Sequence, residues 1–334
     1  MEELVLLDAG SGGAASQRLI KNCFAARFAN PVLEQMDDAA LLDMSGARLA
    51  VSTDSFTVSP LFFPGGSIGS LAVHGTVNDV AMRGARPRYL CCGLIIEEGL
   101  PMRQLEAIAQ DMADAASSCG VSIVSGDTKV VPKGACDGIF INTTGIGEVI
   151  VSQPPGADRA SPGDVILVSG SMGDHGLTIM ACRENFDFLG DLRSDSAPLN
   201  EMACALALQA EAHVLRDPTR GGLAVTLNEI AAQSGVGMEI YEDRVPVGEA
   251  VKSGCAILGL DPLYLANEGK LICIAPEDQA TRALEIMRSF ATGARGAIIG
   301  TVTAANPGRV SLLTPIGGRR ILGMPEGSPI PRIC

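Results

Sequence analysis

Residues 55–78 read SFTVSPLFFPGGSIGSLAVHGTVN, the longest run of the chain without Asp, Glu, Lys or Arg. Length alone would allow a membrane span. Pro60, Pro64, Gly65, Gly66, Gly69 and Gly75 argue against one, because these residues mark turns and interrupt a spanning helix. The run reads instead as strand, turn and buried helix. The strand part continues Arg48–Asp54 through Ser55–Val58, and the helix covers Ser67–Met82, with Ile68, Leu71, Ala72, Val77 and Val80 apolar. With strands and helices mixed in both halves of the chain, this suggests two α/β domains side by side.

On both sides strands alternate with helices. Leu4–Leu7 is a short apolar strand, followed by Gly10-Ser11-Gly12-Gly13 and a helical pattern with Leu19, Ile20, Cys23, Phe24 and Phe28 on one side. Arg88–Ile96 is a long strand; Pro101 then opens a helix and Gly120 lies past its end, the usual asymmetry of helix termini. Val121–Ser125 and Ile139–Val149 are further strands. A break falls at Ser152–Pro162, with three prolines. Beyond it, Asp164–Ser169, Met238–Tyr241, Lys270–Ala275 and Ala297–Val302 are strands, and Leu199–Leu215, Leu223–Gln233 and Asp278–Phe290 are helices. Gly173-Asp174-His175-Gly176 turns into another helix. Pro315–Cys334 carries four Pro and four Gly and has neither period.

The 334 residues suggest two domains at roughly 100–200 residues each. We place an N-terminal domain at 1–152, a C-terminal α/β domain at 153–314 and a flexible tail at 315–334. Apolar residues make up 47%, enough for a sizeable core. The formal charge of −13 and the absence of Trp speak against an unaided nucleic-acid binder. Ten cysteines without a C-x-x-C pair, in a long chain without a signal peptide at Met1–Leu7, suggest a reducing cytoplasm. Nine of them sit among small or apolar residues and read as core fillers. Cys334 is the last residue. The tail around it is locally basic, and its nineteen steps span up to ~60 Å when extended. It is either a frayed terminus or an arm that docks into the acidic body.

Acidic residues stand at the ends of predicted strands: Asp37-Asp38, Asp54 in Ser-Thr-Asp-Ser, Asp79 in Val-Asn-Asp-Val, and Asp127 in Gly-Asp-Thr-Lys. Each alone reads as a cap. Together at one sheet edge they suit magnesium, a hard ion that takes carboxylates and substrate phosphates. The phosphate loop G-x-x-x-x-G-K-[ST] is absent, and Gly10–Gly13 is either a plain turn or a backbone approach to phosphate. Lys129 follows a strand, where a cation can neutralise charge in phosphoryl transfer. Glu268, in Ala-Asn-Glu-Gly-Lys, is a candidate general base if partly buried. For both, the competing reading is a surface ion pair. His74, His175 and His213 have no ligand spacing, and no Gly-x-Ser-x-Gly elbow is present.

In this order the pieces resemble the hydrogenase expression/formation protein HypE family, within the aminoimidazole ribonucleotide synthetase-like superfamily. The resemblance is carried by Gly10–Gly13, Phe28–Pro31, Ser52–Ser55, Pro60–Gly66, Asn78–Ala81, Ser125–Val131, Gly173–Gly176, Arg216-Asp217, Thr219–Gly222, Ala266–Leu271 and the final Pro331-Arg332-Ile333-Cys334. One departure is Ala9, where the family often has His. The resemblance implies a two-domain α/β fold of the α+β type, with an N-terminal ATP domain forming a barrel across a homodimer. It implies ATP-dependent dehydration of an S-carbamoylated terminal cysteine to a thiocyanate, which supplies cyanide to the iron of nickel–iron hydrogenases. Partners would be the carbamoyltransferase HypF and the HypC–HypD iron scaffold. Cys334 would be the carrier, and Lys129 and Glu268 would position and deprotonate the thiocarboxamide. Asp54, Asp79 and Asp127 would hold Mg²⁺. Gly12, Gly13, Asp38 and Asn78 would join them around ATP. The rival readings are a superfamily sibling such as a selenophosphate or aminoimidazole ribonucleotide synthetase or thiamine-phosphate kinase, which lack reason for the Pro-Arg-Ile-Cys ending, and a non-enzymatic scaffold presenting Cys334.

Overall fold

The computed structural model describes residues 13–25, 27, 30–186, 190, 192–327, 330 and 332–334. The expected strand Leu4–Leu7 and the glycines before Gly13 lie outside them. Helix α1 (Gly13–Leu19) runs on through a π-helical turn, Ile20–Ala25. Strands β1 (Ala40–Met44) and β2 (Ala47–Phe56) form a hairpin. The uncharged stretch then folds as its punctuation requires. The chain leaves β2, makes a two-stranded ribbon of β3 (Phe62–Phe63) and β4 (Gly66–Ser67), and enters helix α2 (Ile68–Met82). Ser67 caps α2: its hydroxyl accepts from Ser70 N, while Ser70 Oγ accepts from Ser67 N at 3.0 Å. This reciprocal capping box satisfies two otherwise orphaned donors.

β5 (Ala85–Glu97), helix α3 (Met102–Cys119), β6 (Ser122–Val131) and β7 (Ile139–Val149) complete the N-terminal sheet, ordered β1-β2-β7-β5-β6. All neighbours are antiparallel except β5 and β6, whose parallel pairing requires the α3 crossover. Helices α2 and α3 cover one face, where Leu71, Val77, Leu90, Ile108, Ile139 and Ile141 form the core. The other face is open: Tyr89 and Ile95 are half exposed, and β6 is exposed along nearly its whole length.

The C-terminal sheet has order β14-β13-β10-β12-β8-β11-β9. Its strands are β8 (Val165–Val168), β9 (Val214–Arg216), β10 (Gly237–Tyr241), β11 (Ile272–Ala275), β12 (Ala297–Thr303), β13 (Val310–Leu313) and β14 (Arg319–Ile321). Its helices are α4 (Asp174–Glu184), α5 (Asn200–Gln209), α6 (Gly222–Ser234), α7 (Glu249–Leu258) and α8 (Ala280–Arg288). α6 packs on one face through Leu223, Leu227 and Ile230. α5 and α8 pack on the other through Met202, Leu206 and Met287, joined there by Ala81 and Met82 from the end of α2. Residues of the two halves thus share core, and a cleft lies between them.

Three expectations differ. The helix expected over Leu199–Leu215 stops at Gln209, where Glu211 takes a left-handed φ of 45°, and Val214–Arg216 becomes strand β9 beside β11. The strand expected over Val121–Ser125 continues to Val131, because an exposed edge carries Asp127 and Lys129 without burying their charge. Within the tail, Arg319–Ile321 pairs with β13. All ten cysteines are free thiols, but the expectation of nine core fillers holds for Cys92, Cys119, Cys204, Cys255 and Cys273; Cys23, Cys91, Cys136 and Cys182 are partly exposed. No helix among the described residues is long and apolar enough to cross a membrane.

Candidate functional site

A cavity of about 150 Å³ lies where the domains meet, lined by Asp54, Asp79, Asp217, Arg220, Glu268 and Cys334 among others. Each side chain arrives from a different element. Alternation along β2 sends Ser52 and Asp54 to the same face, toward α2. There Ser52 Oγ donates to Asp79 Oδ2 at 2.7 Å. Asp217 and Arg220 come from the loop between β9 and α6, which Gly221 and Gly222 close with φ of 81° and 63°. At Gly222 a Cβ would run into the Leu263 and Leu265 carbonyls, so the loop requires glycine there. Glu268 stands in the loop before β11, only 3% exposed.

The cavity concentrates negative charge out of water. Burial pushes the Asp79 carboxyl well up, and Asp54, Asp217 and Asp38 add to the rise while the Ser52 hydroxyl opposes it. Burial raises Asp217 to about 6 against the pull of Arg216. Glu268 is raised well above its ordinary value, first by burial and then by Asp217, Asp195 and Asp54; Arg220 acts the other way. Asp38 is raised by burial too, despite its ion pair with Arg216. Arg216 also reaches Glu229 at 3.2 Å. Burial alone would pull its guanidinium down, but Asp38 and Glu229 outweigh it and hold it cationic. Asp38 Oδ2 and Glu268 Oε1 are buried without a hydrogen-bond partner. Buried oxygens of this kind carry a desolvation penalty that a bound cation or donor relieves.

The tail fills one side of the cavity. Thr57 N donates to Cys334 O at 2.8 Å, and Ile330 and Ile333 are buried in the core between the domains. The arm is therefore docked, not frayed. Burial pushes the Cys334 thiol up to about 12; Glu268 and Asp54 reinforce this and Arg220 opposes it. Arg332 takes no part, because its guanidinium turns to Thr57 O and Asp137.

The structure brings together Asp38, Asp54, Asp79, Glu268 and Cys334 as sequence-level candidates. It does not bring Asp127 and Lys129 to them. Both lie within β6, and the register Asp127–Gly93–Asn142–Ser55 runs across four strands. Three strand spacings amount to about 14 Å. Asp127 and Lys129 also project from the opposite sheet face, with Ser55 and Asn142, 69% and 66% exposed and ion-paired at 2.6 Å. The set Asp54, Asp79 and Asp127 is thus not one cluster within a chain. Among the described residues, no three His, Cys, Asp or Glu side chains converge to hold a metal by themselves. Asn78 also has another task. It is fully buried, with its amide NH₂ donating to Ala197 O at 3.1 Å and its carbonyl accepting from Leu199 N at 2.8 Å, so it braces the entry to α5. Gly13 meets Pro325 of the tail, and Gly12 lies outside the described residues. Sequence reasoning gave no role to Asp217, Arg220 and Arg216. Three charges within Arg216-Asp217-Pro218-Thr219-Arg220, just before a Gly-Gly helix start, were the available signal.

Comparison with known proteins agrees with this architecture. The AIR synthase related protein N-terminal domain matches residues 36–149 and the C-terminal domain of the same family matches 161–312. Carbamoyl dehydratase HypE of Azotobacter vinelandii is 53% identical over 330 residues, 97% of this chain and 96% of the relative. A crystal structure of hydrogenase maturation protein HypE in complex with ATP superposes with a TM-score of 0.84 at 58% identity, covering 99% of this chain and 100% of that one. The HypE–HypF complex gives 0.88 at 49% identity, over 92% and 99%. With near-complete coverage, identity of this order and the terminal Pro-Arg-Ile-Cys in place, the chain belongs to the HypE family of AIR synthase related proteins.

Proposed function

We propose that the chain is an ATP-dependent carbamoyl dehydratase whose substrate is its own S-carbamoylated Cys334, which it converts to a thiocyanate that supplies cyanide to hydrogenase iron. The observation that carries this reading is the placement of the terminal thiol in a buried cavity with Arg220, Glu268 and the carboxylates of two domains. An amide oxygen is a poor leaving group. In the proposed reaction it attacks the γ-phosphorus of ATP and ADP leaves; loss of the N–H protons and of phosphate then leaves S–C≡N. Asp54 and Asp79 are the residues that fit a magnesium ion, which typically takes one or two carboxylates besides phosphates and water. Bound with the nucleotide, the ion supplies positive charge against both the triphosphate and the crowded carboxylates. Arg220 faces Cys334 and the same carboxylates, and in this reading steadies charge that develops on the departing phosphate. The departing phosphate carries away one of the nitrogen's two protons, and Glu268 takes the other. Its raised affinity for protons makes it a stronger base once ionised, and Arg220 favours the ionised form.

The elevated thiol of docked Cys334 implies two stations. A sulfur held protonated is a poor nucleophile, so in this reading carbamoyl loading takes place with the tail outside, at a partner such as HypF. Dehydration takes place with the tail inside, and transfer to a HypC–HypD scaffold again needs it outside. Free thiols throughout suit a cytoplasmic location. Asp127 and Lys129 are assigned to a homodimer, in which a second copy covers the open face of β6 and β5 and both residues act across the interface.

Mass spectrometry of the C-terminal peptide tests the proposal. Carbamoylated chain given Mg-ATP is expected to lose one water from that peptide while ATP is consumed. An unchanged peptide would overturn the enzyme reading in favour of a scaffold.

A further inference from the structure

We infer that His175 and Arg183 of α4, with Asp137 from the β6–β7 loop, form a latch that seats the tail by its main chain and by Arg332, leaving the Cys334 sulfur unread. The inference deepens the carrier reading and rests on it. His175 is fully buried, and its Nε2 lies 2.7 Å from Ile333 O, so Nε2 carries the proton and donates. Its Nδ1 lies 2.7 Å from Ser194 Oγ and, in the tautomer that the Ile333 carbonyl imposes, accepts from that hydroxyl. Arg183 donates to Arg332 O and, at 2.6 Å, to Ser59 O. Arg332 Nη1 donates to Asp137 at 2.8 Å, while its Nε and Nη2 donate to Thr57 O at 3.1 and 3.0 Å. Arg332 holds a φ of 52°, a left-handed conformation that an L-residue keeps only when surrounding contacts impose it.

None of these contacts uses Sγ. Two consequences follow from that. A thiol, a planar thiocarboxamide and a linear thiocyanate differ in size and polarity, yet contacts that ignore sulfur hold all three alike. The latch itself therefore supplies no differential affinity among the three, and what distinguishes them is the cavity around Sγ, where Arg220 and Glu268 act on Cys334. A partner that competes for Arg332 or the tail's carbonyls would open the latch whatever group sulfur carries. The latch also spans the cleft: α4 belongs to the C-terminal domain, Thr57 and Asp137 to the N-terminal one. His175, Arg183 and Asp137 are therefore positioning residues, not catalytic ones.

The experiment is thiol labelling of Cys334 in the full chain, read on the C-terminal peptide by mass. Asp137→Asn and Arg183→Ala should each raise the labelling rate about tenfold, the loss expected when a charge-assisted hydrogen bond is removed. Arg183→Lys should recover part of the protection. Asp137 is 60% exposed, so its substitution leaves the fold intact. In carbamoylated chains the same variants should slow single-turnover dehydration by far less than tenfold, at unchanged half-saturating ATP, because a tail docked most of the time stays so when its small undocked fraction rises tenfold. Tryptic cleavage at Arg332 should be accelerated by Asp137→Asn by the same factor in thiol and carbamoylated chains. Unaltered labelling in both Asp137→Asn and Arg183→Ala overturns the latch, and an acceleration of cleavage by Asp137→Asn that depends on the carbamoyl group overturns its indifference to sulfur. Faster labelling in the variants, alongside a wild type that never dehydrates, supports the latch and sinks the carrier reading instead.

Discussion

Glu268 concentrates the chemistry of the site in one side chain. It is buried, one of its oxygens is orphaned, and its neighbours are mostly acidic. Glu268→Gln keeps the volume and removes the base. Dehydration should fall about 10²–10⁴-fold, the usual contribution of a positioned base, while carbamoyl stays on Cys334. Quantified peptide masses over time would show this, and normal thiocyanate formation would remove the assignment. Asp217 gives a second prediction, on stability. Its folded value is raised to about 6, above the unfolded range near 4. The folded chain therefore binds the extra proton, and this contribution is full below the unfolded value and lost as pH rises through about 6. Asp217→Asn removes that slope. Urea midpoints of wild type should drop more steeply between pH 4 and 6.5 than those of the variant; parallel curves would refute the claim.

Among the elements, α2 carries the most structure per residue. It packs on the N-terminal sheet, sends Asp79 into the cavity, braces α5 through Asn78 and closes the seam with Met82. Its start depends on one hydroxyl. Ser67→Ala removes the cap and the bond to Asp111, and should cost about 1 kcal/mol of stability in equilibrium denaturation. This helix was legible from its uncharged sequence and flanking glycines, as was Met102–Cys119 from Pro101 and Gly120. The strand read over Ile139–Val149 likewise coincides with β7. The limits of legibility were equally physical. Asp54 and Asp127 look alike in sequence, each beside Ser, Thr or Gly after an apolar run. Only the register of β6, β5, β7 and β2 sends them to opposite faces. Asn78 was given to the nucleotide by the family resemblance alone, and sequence does not show that backbone groups of residues 197 and 199 engage its amide. Arg220 was hidden because its role depends on a tail more than a hundred residues away.

At the scale of the molecule, the open face of the N-terminal sheet demands an occupant. β6 is a ten-residue edge strand with nearly all of it exposed, beside half-exposed Tyr89 and Ile95. Such an edge invites pairing unless something covers it. A homodimer through this face predicts that Ile95→Asp yields monomers by sedimentation; an unchanged dimer would place the interface elsewhere. It also predicts complementation. Lys129→Ala and Glu268→Gln chains, each inactive alone, should regain dehydration when mixed, because each supplies what the other lacks across the interface. Continued inactivity would return Lys129 to a surface ion pair.

The docked C-terminus has a kinetic consequence. Because Cys334 is tethered to the cavity that acts on it, the acceptor's local concentration is set by chain length and latch strength, never by dilution. Within an assembled dimer, dehydration is then first order, and only nucleotide saturates.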